Sequence, residues 1–101
     1  MRILNETEAN AIYTILVALA GAREDNRMDF VHSVLPDPNR SWLKNGHEEY
    51  RFMGVLGYGG KFRNNSNRNN IPHIDYYPEN QTAERDAVVE QVNETLRVMF
   101  S

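Results

Sequence analysis

The sequence predicts an α+β domain in which N-terminal and C-terminal helices pack against a small antiparallel sheet of about three strands. Apolar residues recur at helical spacing near both ends of the chain, and aromatic and glycine residues concentrate between them. The 101 residues, of which 41% are hydrophobic and 25% charged, fit a single domain over 1–101 with its own core. The expected element order is therefore α, α, β, β, β, α.

The first helix is expected over residues 5–21. Its apolar residues follow the spacing of three and four that gives a helix one wide apolar face. They are Ala9, Ile12, Tyr13, Leu16, Val17 and Ala20. Either Asn5 or Thr7 could cap the first N–H groups, and Gly21 would end the helix.

A second helix is expected from Asp25 to Leu35, before Pro36 and Pro38 end it. Its inward residues would be Met28, Val31 and Leu35, with Phe30 as a further candidate. The following segment, 36–46, is rich in turn residues, and we expect Trp42 and Leu43 to fold onto the core from it.

A hairpin is expected over residues 48–63, where strand-forming residues are interrupted by glycine. We expect the turn at Gly57 to Gly60, because glycine tolerates positive φ angles there. The polar stretch Asn64 to Asn70 would be a mobile loop, and Ile71 to Tyr77 a third strand closed by Pro78.

The last helix is expected to begin after a cap at Thr82 or Asn80 and to run to about Met99. Two acidic residues, Glu84 and Asp86, would lie in its first turn, where the helix dipole favours negative charge. The expected inward stripe consists of Val88, Val92, Leu96 and Met99.

Composition excludes several kinds of protein. The chain has no cysteine, so disulfides and thiolate chemistry are absent. The apolar run 11–22 is too short to span a bilayer, and nothing near the start matches a secretion signal, so we expect a cytoplasmic protein. The net charge of −3 argues against binding of duplex nucleic acid. The three histidines have no metal-ligand spacing, and we expect no cofactor, no metal and no catalytic group.

Two short segments could nevertheless bind an anion. Between residues 51 and 70 the charged residues are all basic, and Lys61 and Arg63 lie beside the glycine segment, where Tyr58 could stack on a base. At the start of the last helix, Arg85 could bind phosphate while Asp86 accepts from a ribose hydroxyl. A glycine hairpin and a surface ion pair would explain the same residues without any ligand.

The segment YRFMGVLGYGGKF (50–62), followed by Tyr77-Pro78-Glu79, Thr82, Glu84-Arg85 and a terminal helix, resembles the phage anti-Thoeris proteins, which are sponges for cyclic ADP-ribose signals. The resemblance covers roughly residues 48–97. It implies a non-enzymatic protein of the infected bacterial host's cytoplasm. Such a protein binds glycocyclic ADP-ribose isomers, and in larger assemblies cyclic oligonucleotides, at a subunit interface.

The resemblance places the stacking aromatic on Tyr58 and the arginine–aspartate pair of the last helix on Arg85 and Asp86. It also implies a ligand-contacting asparagine between residues 64 and 70, without deciding which one. We add Lys61 and Arg63 to this ligand-binding set because a pyrophosphate needs neutralising charge.

Two other functions remain open. A small protein inhibitor, similar in action to an anti-CRISPR, would bind a host protein through acidic side chains. These are Glu48, Glu49, Glu79, Glu84, Asp86, Glu90 and Glu94. A small hydrolase would instead use Asp75 or Glu79 on the same nucleotide.

Overall fold

A computed structural model describes residues 2–37, 48–54, 58–65, 67–76, 79 and 81–101. It confirms the α+β class and the predicted element order. The helices are α1 (Glu6–Ala20), α2 (Arg27–Val34) and α3 (Ala83–Phe100), and the strands are β1 (Glu49–Gly54), β2 (Tyr58–Arg63) and β3 (His73–Tyr76). The predicted contacts of Trp42 and Leu43 lie outside the described residues.

The first helix begins and ends as its sequence predicts. Of the two candidate caps, Asn5 is the one used: its side chain accepts from the Glu8 N–H at 2.8 Å, and its own N–H donates to the Glu8 carboxylate at 3.0 Å. This reciprocal pair satisfies two N–H groups that would otherwise lack partners. Gly21 ends the helix in the left-handed conformation, with φ of 70°.

The inward face of α2 differs from the prediction. Met28 is 69% exposed, so its expected core position is wrong, and Phe30 is fully buried instead. Residues two apart on a helix point about 200° apart, so Met28 and Phe30 cannot both face the core. The larger ring occupies it: Phe30 lies 5.0–5.2 Å, centroid to centroid, from the rings of Tyr13, Tyr50 and Phe62.

The sheet is antiparallel in the order β1-β2-β3. The expected turn at Gly57 to Gly60 is wrong for its last three residues, because Tyr58, Gly59 and Gly60 lie within β2. Gly60 pairs with Phe52, and a Cβ there would lie only 2.6 Å from the Phe52 ring. This glycine therefore makes room for an aromatic ring on the buried face of the sheet.

The last helix is capped by Thr82, whose hydroxyl accepts from the Arg85 N–H at 3.1 Å. Its buried apolar stripe consists of Val89, Val92, Leu96 and Phe100. Val92 and Leu96 confirm the prediction, whereas Met99 is 38% exposed and Val88 only partly buried. The spacing of three, four and four keeps the observed stripe in phase with the helical repeat along its whole length. The helix packs against both α1 and β3.

Two buried asparagines hold backbone segments with paired hydrogen bonds. The Asn93 side chain on α3 accepts from the Ile74 N–H at 2.7 Å and donates to the Ile74 carbonyl at 3.0 Å. The Asn64 side chain makes the equivalent pair with the Arg2 backbone, at 3.2 and 2.8 Å. Asn93 thus satisfies the free edge of β3, and Asn64 fixes the N-terminal segment beside the hairpin.

A short turn after β2 has unusual backbone geometry. In the turn Asn67–Asn70, the φ angles of Arg68, Asn69 and Asn70 are 51°, 57° and 61°. Left-handed backbone costs L residues about 1–2 kcal/mol each, and asparagine tolerates it better than arginine does. Of the loop predicted from Asn64 to Asn70, Asn64 is buried and the residues Asn67–Asn70 form this turn.

The described buried apolar residues form one connected core between the helices and the inner face of the sheet. No helix among the described residues combines the length and hydropathy needed to cross a membrane.

Candidate functional site

A cleft of about 690 Å³ lies between α3 and strands β2 and β3. Its lining residues come from β2 and β3, from the turn Asn67–Asn70, and from α3 with the segment before it. They are Lys61, Arg63, Asp75 and Tyr76; Arg68; and Gln81, Asp86, Val89, Glu90, Asn93 and Arg97. The volume falls in the usual range for small-ligand sites, about 300–1,000 Å³.

Local periodicity explains why these side chains meet. In β2, Lys61 and Arg63 alternate with the buried Gly60 and Phe62, so they share the outer face of the sheet. On α3, a second set follows the helical spacing of four, three and four and forms one stripe along the cleft. This stripe is Asp86, Glu90, Asn93 and Arg97.

The cleft contains both signs of charge. Four of its lining side chains are cationic and three are acidic. Arg63 is held between two carboxylates, those of Glu49 at 2.9 Å and Asp75 at 2.8 Å. Its guanidinium is therefore already neutralised and fixed in position, and it contributes less attraction for an incoming anion than the sequence prediction assumed.

Tyr76 and Asp86 form a polar contact across the cleft. The phenol of Tyr76 donates to the Asp86 carboxylate, and this hydrogen bond raises the pKa of Tyr76 because ionisation would place two negative charges together. The Gln81 side-chain amide approaches the same carboxylate at 3.5 Å. Asp86 thus presents an acceptor in the cleft, beside an aromatic ring that belongs to β3.

The structure brings together three of the five residues that the sequence predicts for the site: Lys61, Arg63 and Asp86. Arg85 does not line the cleft and is only 7% exposed. Adjacent helical residues point about 100° apart, so Asp86 can face the cleft while Arg85 turns toward the protein. Tyr58 lies in β2 opposite Gly54, and its side chain lies outside the described part of the structure.

The ligand-binding set predicted from the sequence omits seven other polar residues of the cleft: Arg68, Asp75, Tyr76, Gln81, Glu90, Asn93 and Arg97. The spacing of Asp86, Glu90, Asn93 and Arg97 is itself a polar stripe and could have predicted one exposed face. No comparable signal marks Arg68, because its position depends on the left-handed turn. Arg97 forms an ion pair with Glu94, and Arg68 forms none with another described residue.

A second cavity of about 280 Å³ adjoins the cleft and shares three of its lining residues, Arg68, Asn93 and Arg97. Its other described lining residues include Ile71, Pro72 and His73. Within the described ranges, no group of three or more histidine and acidic residues is placed to hold a metal ion.

The chain matches no known family model, no curated protein and no solved structure.

Proposed function

We propose that the protein is a non-enzymatic, phage-encoded sponge that binds and sequesters a small cyclic nucleotide immune signal of the glycocyclic ADP-ribose type, with cyclic oligonucleotides as further candidates. Binding would block antiviral defence in the cytoplasm of the infected bacterial host. The cleft is the observation that supports this proposal, since it combines the size of a small-ligand site with cationic and acidic side chains in one concavity.

The two kinds of charge suit the two kinds of polar group in a nucleotide. Phosphate oxygens need cationic donors, which Lys61, Arg68 and Arg97 supply. Ribose hydroxyls need acceptors, and the carboxylates of Asp86 and Glu90 lie on the α3 side of the same cleft. These carboxylates repel anionic groups from their own side of the cleft, so the mixture favours a ligand that has hydroxyl groups on that side and phosphate on the cationic side.

The environment of Asp75 favours binding over hydrolysis. Its carboxylate accepts from the Arg63 guanidinium at 2.8 Å, so this group is already engaged in an ion pair within the protein. The hydrolase hypothesis needs this group or Glu79 to accept a proton from water, yet Glu79 is not among the residues that line the cleft.

We propose that the protein forms a homodimer or hexamer in which a second subunit covers the ligand. The cleft is partly open to solvent, so a ligand held in it would leave a side for a second subunit to cover. No membrane partner and no duplex nucleic acid are proposed.

Native mass spectrometry with cyclic ADP-ribose isomers tests this function. We expect stoichiometric binding to an oligomer and release of the intact ligand after heating. Lys61→Gln and Asp86→Asn should each weaken binding by about tenfold, because each removes a charge-assisted contact. Arg85→Ala is a poor test, because truncation of a buried arginine would also disturb the packing of α3.

Two other results would contradict the proposal. Conversion of the isomer into a new product would show an enzyme. Failure of every isomer to bind, together with a host protein that co-purifies in stoichiometric amounts, would favour the protein inhibitor. The exposed acidic residues Glu84, Glu90 and Glu94 on α3 would then be the first to reverse in charge.

A further inference from the structure

Arg68 and Arg97 lie on the wall that the two cavities share. Arg68 comes from the turn after β2 and Arg97 from the last part of α3, so two separate elements place a guanidinium at this boundary. Asn93 also belongs to the wall, but both ends of its amide are already bonded to the Ile74 backbone. The two arginines are therefore the groups on this wall that can bind a ligand through charge.

We propose that Arg68 and Arg97 bind a diphosphate that bridges the two cavities, so that the ligand has one sugar- or base-sized group in each. This inference rests on the proposed function and assigns the contact with the ligand's diphosphate to these two arginines. It also names two specificity-determining residues that the sequence prediction did not include.

The distribution of charge supports this division. The three carboxylates of the site, those of Asp75, Asp86 and Glu90, line only the larger cavity. The described lining of the smaller cavity contains Arg68, Arg97 and His73 and no carboxylate. Negative charge is thus favoured at the wall and beyond it, whereas hydroxyl and amide groups are favoured deeper in the larger cavity.

The backbone at Arg68 supports the same assignment. Its φ and ψ of 51° and 42° place an arginine in the left-handed region, where asparagine and glycine are the usual residues. Strained backbone of this kind concentrates at binding sites, because the surrounding structure holds a side chain where a ligand needs it. Here the turn is held by an N–H of Asn67 that donates to the Asn65 side chain and by an N–H of Ile71 that donates to the Arg68 carbonyl, both at 3.0 Å.

Arg97 is available for a ligand despite its ion pair. Its partner Glu94 lies one helical turn before it, and both side chains are more than half exposed. Exposed pairs of this type contribute little, so a diphosphate can replace the Glu94 carboxylate at small cost. The apolar residues Ile71 and Pro72 give the smaller cavity a surface on which a ring can pack.

The test uses inorganic pyrophosphate, ADP and ADP-ribose as probes, each titrated by calorimetry and by amide chemical shifts. Pyrophosphate should bind the wild-type protein, and Arg68→Ala and Arg97→Ala should each weaken it by about tenfold or more. The control is Arg23→Ala, which removes the same charge from an exposed arginine paired with Asp25. This variant should bind within about twofold of wild type.

A second comparison tests the smaller cavity. ADP-ribose should bind at least about tenfold more tightly than ADP, because ADP lacks a group for that cavity. Ile71→Phe should reduce the affinity for ADP-ribose by a similar factor and leave that for ADP within about twofold. Should this variant fold poorly, the wild-type amide shifts give the same information: ADP-ribose, but not ADP, should shift the amide of His73, which lines only the smaller cavity.

The failures can be told apart. Absence of saturable pyrophosphate binding, or equal binding by wild type and both arginine variants, would overturn the inference. Equal affinities for ADP and ADP-ribose would overturn the two-cavity ligand. If pyrophosphate binding depends on both arginines but no cyclic ADP-ribose isomer binds, the diphosphate site stands and the proposed function fails.

Discussion

Replacement of Asn93 should destabilise the protein far more than replacement of a neighbouring polar residue. Asn93 is 6% exposed and makes two hydrogen bonds to the Ile74 backbone, at 2.7 and 3.0 Å. Ile74 is itself fully buried, so Asn93→Ala would leave a buried N–H and a buried carbonyl without partners. Each costs about 1–3 kcal/mol, which gives a loss of about 2–6 kcal/mol. This is a large part of the roughly 5–15 kcal/mol that stabilises a typical domain.

The assay is equilibrium unfolding in denaturant, followed by circular dichroism of the wild-type, Asn93→Ala, Asn93→Leu and Gln91→Ala proteins. The leucine variant keeps the volume but not the hydrogen bonds, so it separates bonding from packing. The exposed Gln91, on the same helix, is the matched control and should change the free energy of unfolding by less than about 0.5 kcal/mol.

One result would refute this reasoning. If Asn93→Leu unfolds within about 1 kcal/mol of wild type, the paired bonds to Ile74 do not support the sheet edge. Because Asn93 also lines both cavities, ligand affinity should fall along with stability in the alanine variant.

Two further predictions concern the sheet. Gly60→Ala should lower the free energy of unfolding by about 1–3 kcal/mol, measured in denaturant, because its Cβ would contact the Phe52 ring. Gly59→Ala, on the opposite face of the strand, should lower it less. Equal losses in the two variants would refute the packing role of Gly60. Burial is the larger cause and the hydrogen bond to Asp29, at 2.5 Å, the smaller cause of a raised pKa for Tyr50. The neutral phenol therefore contributes its full stabilisation below the ordinary pKa of 10.0, and this contribution is lost as the pH rises through the higher pKa of the folded state. Asp29→Asn should therefore shift phenolate absorbance to lower pH in an alkaline titration, and an unchanged titration would contradict the assignment.

The regular elements could be predicted because each has a signal that is local in sequence. The Asn5 cap, the stop at Gly21 and the apolar spacing around Val92 and Leu96 identify α1 and α3 without reference to the rest of the chain. Local spacing did not predict that Met28 is exposed. Which face of this short helix is buried depends on the contacts of Phe30 with aromatic rings from three other elements.

The glycines and the cleft show the same limit. The sequence does not show whether a glycine makes a turn or makes room for a neighbouring ring such as that of Phe52. Only the strand register distinguishes the two roles. The sequence predicts Lys61, Arg63 and Asp86, which lie on regular elements, and the structure places all three on one cleft. Arg68 lies in a run of three left-handed residues. Asn69 and Asn70 favour that conformation, but nothing in the sequence indicates that the arginine adopts it.

The bonds that Arg2 makes have a consequence for how the chain folds. Its backbone is paired with Asn64, 62 positions away, and its guanidinium donates to the Phe100 carbonyl, 98 positions away, while α1 packs on α3. Contacts of such long sequence separation form late, because closing the intervening chain costs entropy before they can stabilise anything. During synthesis, α1 therefore cannot make its native contacts with α3 until α3 has left the ribosome. The native core is complete only after that point.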